Sequence, residues 1–298
     1  MFVYKSVKTE TYIYKCKEAG FLLNKTIIWL YFLRRLIFMI TKDSAIGVLD
    51  SGVGGLTTVK ELQELLPNEN IYYFGDNKNV PYGNKTEEEI IKLTRKMIEF
   101  LISENVKVIA VACNTISTII DEISNDYDVK IIKVIDPIVN NIKNIQKRDK
   151  VGLIATNFTV STKYYDKMLG DVKVIGKGCS ELAAIVDSGE INEKEVRNII
   201  KTDIDDIKSR EDVDTIILGC THYPIIKHIF DECYPDVNFL NPAHHHAIAI
   251  KEYLQEMDLL KEDNRNKFFK IFTTGDKEKY RIIMDMLKLK EPDEIILK

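Results

Sequence analysis

The stretches VIAVACNTIST (residues 108–118) and IILGCTHYPII (residues 216–226) follow one pattern, and this pattern decides the predicted fold. Each contains an apolar strand, a small residue, a cysteine, a polar pair and the start of a helix. One explanation is that all strand-to-helix units of α/β proteins look alike. The other is a pair of similar domains, each with a cysteine at the carboxyl end of a strand, where open α/β sheets bind ligands.

Short apolar runs alternate with longer amphipathic stretches from residue 45 onward, and the Val- and Ile-rich runs predict strands buried on both faces. Strands are predicted at 46–49, 71–74, 106–112, 131–134, 151–156, 172–175, 215–218 and 269–273. Helices are predicted at 56–65, 86–104, 160–168, 193–208 and 247–257. This alternation predicts βαβ units and a parallel sheet, and therefore an α/β protein. If the second explanation of the repeated pattern holds, the fold has two similar doubly wound parallel-sheet domains with the active site between them.

The expected domain boundaries place residues 46–136 and 246–298 in the first domain and residues 137–245 in the second. The polar stretch 140–150 is the expected crossing between them. Residues 1–45 form an N-terminal extension whose apolar part is interrupted by Lys25, Arg34 and Arg35. A membrane-spanning helix needs about 20 apolar residues and a signal peptide needs a cleavage site. We therefore expect no membrane association, and a functional chain that begins near Met39.

Composition narrows the function classes. The net charge of the 298 residues is −4, which gives no electrostatic reason to expect nucleic acid as a partner. The five widely spaced cysteines predict free thiols in a reducing cytoplasm rather than a disulfide framework. They have no CxxC spacing, and the three histidines 244–246 have no completing ligand. We therefore expect no metal site, and a solvated helix start at these histidines.

Two turns carry polar residues after predicted strands. In IGVLDSGVGGL (residues 46–56), Asp50 and Ser51 close a strand, and the glycines let backbone N–H groups approach a carboxylate or phosphate. Thr57 stands where a dinucleotide fingerprint has its third glycine, and no P-loop lysine follows. A tight turn without a ligand explains these glycines equally well. In the second stretch, GDNKNVPYG (residues 75–83), Pro81-Tyr82-Gly83 is typical of a structured turn, but taken alone the stretch fits an ordinary surface loop better.

Cys113 and Cys220 each precede a polar pair at a predicted helix start, where the helix dipole lowers a thiol's pKa. His222 can tune Cys220 or relay protons. Buried cysteines are usually inert, and we expect this of Cys179 and Cys233.

Single-thiol chemistries fit poorly. A cysteine phosphatase needs an arginine soon after its nucleophile, but the sixth residues after the two cysteines are Ile119 and Ile226. A cysteine hydrolase needs only one thiol with a base. Two equivalent thiols suit inversion at a carbon atom, in which one removes a proton and the other donates a proton to the opposite face.

Five segments in this order resemble the glutamate racemases of the aspartate/glutamate racemase superfamily: IGVLDSGVGGLTTVKEL, YFGDNKNVPYG, VACNTIST, LGCTHYPII and FTTGD (residues 272–276). The resemblance implies two α/β domains that enclose the substrate, with no pyridoxal phosphate, other cofactor or metal. It implies the interconversion of L- and D-glutamate, which supplies D-glutamate for peptidoglycan. We also expect a homodimer.

The resemblance also implies roles for individual residues. Cys113, assisted by Asp50, would act on D-glutamate, and Cys220, assisted by His222, on L-glutamate. The residues expected to bind the substrate are Asp50, Ser51, Tyr82, Gly83, Asn114, Thr115, Thr221 and His222.

The chain departs from the family pattern at two places. It has Asn241-Pro242 where the family often has Asp-Ser, and Val186-Asp187 where the family tends to have Val-Glu. No role is therefore assigned to Asn241 or Asp187.

Two alternatives remain. The first is a racemase of aspartate or another acidic amino acid. The second is a non-catalytic regulatory protein on the same scaffold, since a fold does not fix a function. A pure binding protein needs no paired thiols, which argues against the second.

Overall fold

The computed structural model describes residues 40–146 and 148–298. The expectations for residues 1–39, including the extension and the start near Met39, lie outside the described residues. Within the described ranges the chain forms strands and helices that alternate, as predicted. The strands are β1 (Ile46–Asp50), β2 (Ile71–Gly75), β3 (Val108–Val111), β4 (Ile131–Lys133), β5 (Lys150–Ala155), β6 (Lys173–Gly178), β7 (Thr215–Gly219), β8 (Asn238–Leu240), β9 (Phe269–Thr273) and β10 (Glu294–Leu297).

The strands form two parallel sheets, which confirms the predicted fold class. Sheet A has the order β10-β9-β2-β1-β3-β4, and sheet B has the order β6-β5-β7-β8. Every strand pair in both sheets is parallel. The central strands β1, β3 and β7 are buried along their whole length, as continuously apolar parallel strands should be.

Helices cover the sheets and connect the strands. They are α1 (Leu56–Leu65), α2 (Glu87–Ser103), α3 (Asn114–Ser117), α4 (Ile135–Asn140), α5 (Asn157–Ser161), α6 (Tyr164–Leu169), α7 (Glu181–Ser188), α8 (Glu193–Arg210), α9 (Lys227–Cys233), α10 (Pro242–Glu256) and α11 (Lys277–Leu287). Local chemistry fixes several of their starts. The Thr86 hydroxyl accepts from the Glu89 N–H, and the Glu89 carboxylate accepts from the Thr86 N–H, which forms a capping box at α2.

Two predicted helices differ from the structure, and two strands are absent from the predicted list. The single helix predicted at 160–168 is two helices, α5 and α6, separated at Lys163, whose left-handed backbone (φ 53°) interrupts the helical turns. The helix predicted at 247–257 begins earlier, at Pro242, because Asn241 caps it and proline suits the first helical position. Strands β8 and β10 escaped prediction because both are short and lie at sheet edges.

The chain crosses from sheet A to sheet B once and then returns. The polar stretch after β4 forms α4 and a π-helix, Asn141–Gln146, before β5 starts sheet B. After β8, α10 leads the chain back, packing against α1 and α4, and β9 and β10 complete sheet A. Sheet A is therefore built from two separate parts of the sequence. None of the helices in the described ranges is long and apolar enough to cross a lipid bilayer.

Candidate active site

The carboxyl edges of the two sheets contact each other. Asp50 is the last residue of β1 in sheet A, and Thr221 follows β7 of sheet B by two residues. The Thr221 hydroxyl donates a hydrogen bond of 3.3 Å to Asp50 Oδ2. The hydroxyl oxygens of Thr115, after β3, and Thr156, after β5, lie 3.1 Å apart. The two cysteine-bearing turns therefore belong to one site built from both sheets.

Cys113 is buried, with 5% of the residue exposed, and no cationic side chain is found among the neighbours described below. Its Sγ lies 3.5 Å from Ser51 Oγ. Burial, together with the nearby Asp50 carboxylate, raises the pKa of Cys113 to about 12. The expectation of a lowered pKa is wrong for this thiol. Cys113 does cap a helix, but α3 has only four residues, and its dipole does not outweigh burial.

Asp50 is held in one orientation and is fully buried. Its Oδ1 accepts a 2.9 Å hydrogen bond from the Gly52 N–H, while its Oδ2 faces Thr221. Burial raises the pKa of the Asp50 carboxyl, and the nearby His222 partly offsets this. A buried carboxyl group with a raised pKa between two thiol-bearing turns is a candidate for proton exchange.

Cys220 has a different neighbour. His222 Nδ1 lies 3.7 Å from Cys220 Sγ, and both side chains are buried. Burial disfavours the charged imidazolium, but Asp187 and Cys220 outweigh it and raise the pKa of His222 to about 10. The thiol of Cys220 therefore lies against a positively charged ring at neutral pH.

Asp187, to which the sequence assigned no role, lies near His222 Nε2, whereas Cys220 lies near Nδ1 of the same ring. Asp187 lies in α7, and its Oδ1 is 3.7 Å from His222 Nε2. Its Oδ2 accepts a 2.6 Å hydrogen bond from Lys279 Nζ of α11. Although burial opposes ionisation, these two cationic neighbours hold the pKa of Asp187 at about 2. The departure from the family's Val-Glu drew attention to this position in the sequence. It did not indicate that Asp187 contacts His222 and Lys279.

The glycine turn after β1 packs closely on the Cys220 turn. A Cβ on Gly54 would lie 2.8 Å from His222 Nδ1 and would overlap Thr221 Oγ1. Only glycine allows the two turns to approach this closely.

The remaining predicted site residues lie around these two turns. Tyr82 donates a 2.7 Å hydrogen bond to Asp76, and Asn114 accepts one of 2.7 Å from Tyr165. Gly83 faces Thr156, whose hydroxyl lies 3.1 Å from that of Thr115. No motif in the sequence indicated Thr156, which contributes a hydroxyl from the end of β5 in sheet B.

Other predictions concern residues outside these turns. His246 is fully buried in α10 and donates from Nε2 to the Ile132 carbonyl, so the expectation of a solvated helix start is wrong for it. Asn241 caps α10 and bonds Glu61. Cys179 is buried. Among the described residues no group of three or more His, Cys, Asp or Glu side chains is arranged to hold a metal ion.

Comparison with known proteins identifies the class of the chain. Residues 46–250 match the Asp/Glu/Hydantoin racemase family, and the protein belongs to it. A relative in Thermoanaerobacter pseudethanolicus, a glutamate racemase, is 36% identical over 247 residues, which cover 81% of this chain and 92% of the relative.

Solved structures show the same architecture. A glutamate racemase isoform from Bacillus anthracis superposes with a TM-score of 0.80 at 32% identity, covering 86% of this chain and 98% of that one. The Francisella tularensis glutamate racemase in complex with D-glutamate has a TM-score of 0.78 at 32% identity, with the same coverage. An aspartate racemase from Picrophilus torridus, at 20% identity and a TM-score of 0.56, shares the fold alone.

Proposed function

We propose that this protein is a glutamate racemase that inverts the α-carbon of glutamate with two thiols and no cofactor. The observation that carries the proposal is a pair of contacts at the turn after β1: Thr221 of the Cys220 turn donates to Asp50, and Ser51 lies 3.5 Å from Cys113 Sγ, so that this turn joins both thiols in one site. The relatives that are glutamate racemases support the choice of substrate.

The two thiols differ in the way that inversion requires. At neutral pH Cys113 carries its proton, since its pKa is about 12. Cys220 instead has a cationic neighbour, the His222 imidazolium, whose Nδ1 lies 3.7 Å from Cys220 Sγ. In the direction from L- to D-glutamate, the Cys220 thiolate takes the α-proton and the Cys113 thiol donates its proton to the opposite face. The reverse direction exchanges these roles, with Asp50 assisting the removal of the Cys113 proton.

Hydroxyl, amide and backbone N–H groups provide the binding site for the substrate. Carboxylates accept hydrogen bonds from such donors, and we propose this role for Ser51, Asn114, Thr115, Thr221 and the backbone at Tyr82-Gly83. Asp50 and His222 lie within the same set. Donors fixed around the α-carboxylate also stabilise the negative charge that develops as the α-proton leaves.

The domain boundaries and the cellular role complete the proposal. Residues 46–136 with 246–298 would form the first domain, and residues 137–245 the second. The free, widely spaced thiols support a cytoplasmic protein. We propose that it works as a homodimer and supplies D-glutamate for peptidoglycan synthesis.

Circular dichroism of purified protein incubated with L-glutamate, D-glutamate or L-aspartate tests the activity. Both glutamate enantiomers should lose their signal to a racemic mixture, while L-aspartate should keep its signal. Cys113→Ala and Cys220→Ala should each lower turnover by more than about 10³-fold, because each removes one of two obligatory proton carriers. Racemization by either variant at close to the wild-type rate would contradict the two-thiol mechanism.

Deuterium exchange assigns each thiol to one enantiomer. In deuterated water, Cys220→Ala should label the α-carbon of D-glutamate and not of L-glutamate, and Cys113→Ala should do the opposite. Mass spectrometry of the recovered substrate measures the label. Labelling of both enantiomers by one variant would overturn the assignment.

A further inference from the structure

Three buried polar atoms, one of them on the His222 ring, have no hydrogen-bond partner among the described residues. They are Asn77 Nδ2, Asp187 Oδ1 and His222 Nε2. They come from three separate parts of the chain: the loop after β2, helix α7 and the turn after β7. A buried polar group without a partner destabilises the fold, so three in one place call for a shared partner.

Gly52 lies where these atoms meet. The position that a Cβ of residue 52 would occupy is 3.5 Å from Asn77 Nδ2 and 3.6 Å from Asp187 Oδ1. His222 Nε2 is 3.7 Å from the same Asp187 oxygen, too far for a direct hydrogen bond but within reach of one bridging atom. Val80 forms an apolar wall at 3.4 Å.

The other polar atoms of these three side chains have partners. These partners show whether each of the three unpaired atoms is a hydrogen-bond donor or an acceptor. Asn77 Oδ1 accepts from the Tyr280 hydroxyl, so its Nδ2 is the free donor. Asp187 Oδ2 accepts from Lys279, so its Oδ1 is the free acceptor. The imidazolium of His222 directs Nδ1 toward Cys220 and offers Nε2–H as a second donor.

This set of donors and acceptor excludes ions. A metal cation would be repelled by the Nδ2–H and Nε2–H groups, and an anion by the Asp187 carboxylate. The partner must be small and neutral, accept two hydrogen bonds and donate at least one. A water molecule meets these requirements.

We propose that one water molecule is bound beside Gly52 by Asn77, Asp187 and His222, and that it couples Asp187 to His222. The water accepts from Asn77 Nδ2 and His222 Nε2 and donates to Asp187 Oδ1. It thereby holds the ring with Nδ1 facing Cys220. Its effect on turnover rests on the proposed racemase function, whereas its presence does not.

A comparison of Gly52 with Gly54 shows how binding of the water can be distinguished from a packing effect. A Cβ on Gly54 would clash with the Cys220 turn, but one on Gly52 would meet its neighbours at ordinary van der Waals distances of 3.4–3.6 Å. The backbone of Gly52 also lies outside the left-handed region, so alanine and serine fit there. A methyl group at residue 52 would displace the water, whereas a serine would place Oγ close to the position of the water.

The first arm of the test is structural and needs no activity. High-resolution crystal structures of the full-length wild type and Gly52→Ala are compared. The wild type should show a water within about 2.7–3.2 Å of all three atoms, and Gly52→Ala should lack it. A wild-type map in which His222 Nε2 bonds Asp187 directly, with no water between, would overturn the proposal even if the variant failed to fold.

The second arm is kinetic and uses Gly52→Ser as the matched variant. Gly52→Ala should lower kcat about tenfold, and Gly52→Ser should restore it to within about threefold of wild type. The pKa of His222, followed by ¹⁵N NMR of its ring, should fall in Gly52→Ala and return in Gly52→Ser. The other charged or titratable groups near this ring are Asp187, Cys220 and Asp50, and both variants retain them.

The outcomes separate the two proposals. Equal losses in Gly52→Ala and Gly52→Ser, with no change in the His222 pKa, would mean that the Cβ acts by packing, and the water bridge would be refuted. A wild-type protein that leaves glutamate unchanged but shows the water and the NMR shift would refute the racemase proposal alone.

Discussion

The turns that carry Cys113 and Cys220 follow similar strands, but the two thiols lie in opposite electrostatic environments. Both follow a buried parallel strand at the same edge of its sheet. Cys113 faces the Ser51 hydroxyl and lies near the Asp50 carboxyl, whereas Cys220 lies against the His222 imidazolium. The matching strand-and-cysteine pattern therefore places the thiols, and their charged neighbours, Asp50 for Cys113 and His222 for Cys220, make the two surroundings differ.

Thermodynamics limits how this asymmetry can appear in the kinetics. L- and D-glutamate have equal free energies in water, so the equilibrium constant for their interconversion is one. Any variant must then change kcat/KM by the same factor in both directions. Differences between the two turns can appear only in kcat and KM taken separately, in isotope labelling, and in the chemistry of each thiol.

Among substitutions that leave both thiols in place, the largest expected effect comes from Asp50→Asn. Losing this carboxyl group should lower kcat/KM about 10³-fold in both directions if Asp50 assists Cys113 as we propose. It should also lower the pKa of Cys113 by about one unit, because a neighbouring negative charge is removed. The pH dependence of Cys113 alkylation, measured by mass spectrometry in a Cys220→Ala background, reports this pKa. A Cys113 pKa that stays at about 12 would show that burial alone sets it.

His222→Asn tests the opposite turn and should have a smaller effect. We expect kcat to fall about 10²-fold because the cation beside Cys220 is lost. Alkylation of Cys113 should keep its pH midpoint to within a few tenths of a unit. A shift as large as that in Asp50→Asn would mean that the two turns are not electrostatically separate.

Asp187 and Lys279 should contribute less, through His222. Asp187→Asn should lower kcat about tenfold, and Lys279→Met severalfold, because both act on the orientation and charge of the ring. The double variant should be no worse than Asp187→Asn, since Lys279 acts on His222 only through Asp187. Lys279→Arg is the matched control and should keep most of the activity. Losses that multiply in the double variant would indicate independent roles.

The smallest effect concerns stability rather than activity and lies outside both turns. Burial lowers the pKa of His246 to about 4, against 6.5 when the histidine is free. The unfolded chain therefore binds a proton that the folded chain does not between pH 6.5 and 4. Stability should fall by about 3 kcal/mol over this range as the pH decreases, and should be unaffected by His246 above it. Urea unfolding of wild type and His246→Gln measures this. An equal pH dependence in the two proteins would contradict it.

The sequence predicted the sheets and the two cysteine turns because these depend on local patterns. Continuous Val- and Ile-rich runs define β1, β3 and β7, and the residues that follow them meet at the sheet edges by the geometry of parallel strands. The roles of the site residues stay predictions.

Contacts between distant elements could not be predicted in this way. The ring of His222 faces Asp187 from α7, which in turn meets Lys279 from α11, and no local pattern records such pairs. The raised pKa of Cys113 depends on burial and on Asp50, which lies far away in sequence. The same reason explains His246, whose polar sequence context predicted solvent but whose ring is buried against β4.

The return of the chain to sheet A has a consequence for biosynthesis. Ile71 of β2 pairs with Phe269 of β9, so this edge of β2 cannot be covered until the segment around residue 269 has left the ribosome. Sheet B, by contrast, is encoded without interruption between β5 and β8. Pairing between distant segments is slow, and an uncovered strand edge invites aggregation. Sheet B should therefore form first during synthesis, and the late arrival of β9 should be the step at which chaperones assist folding most.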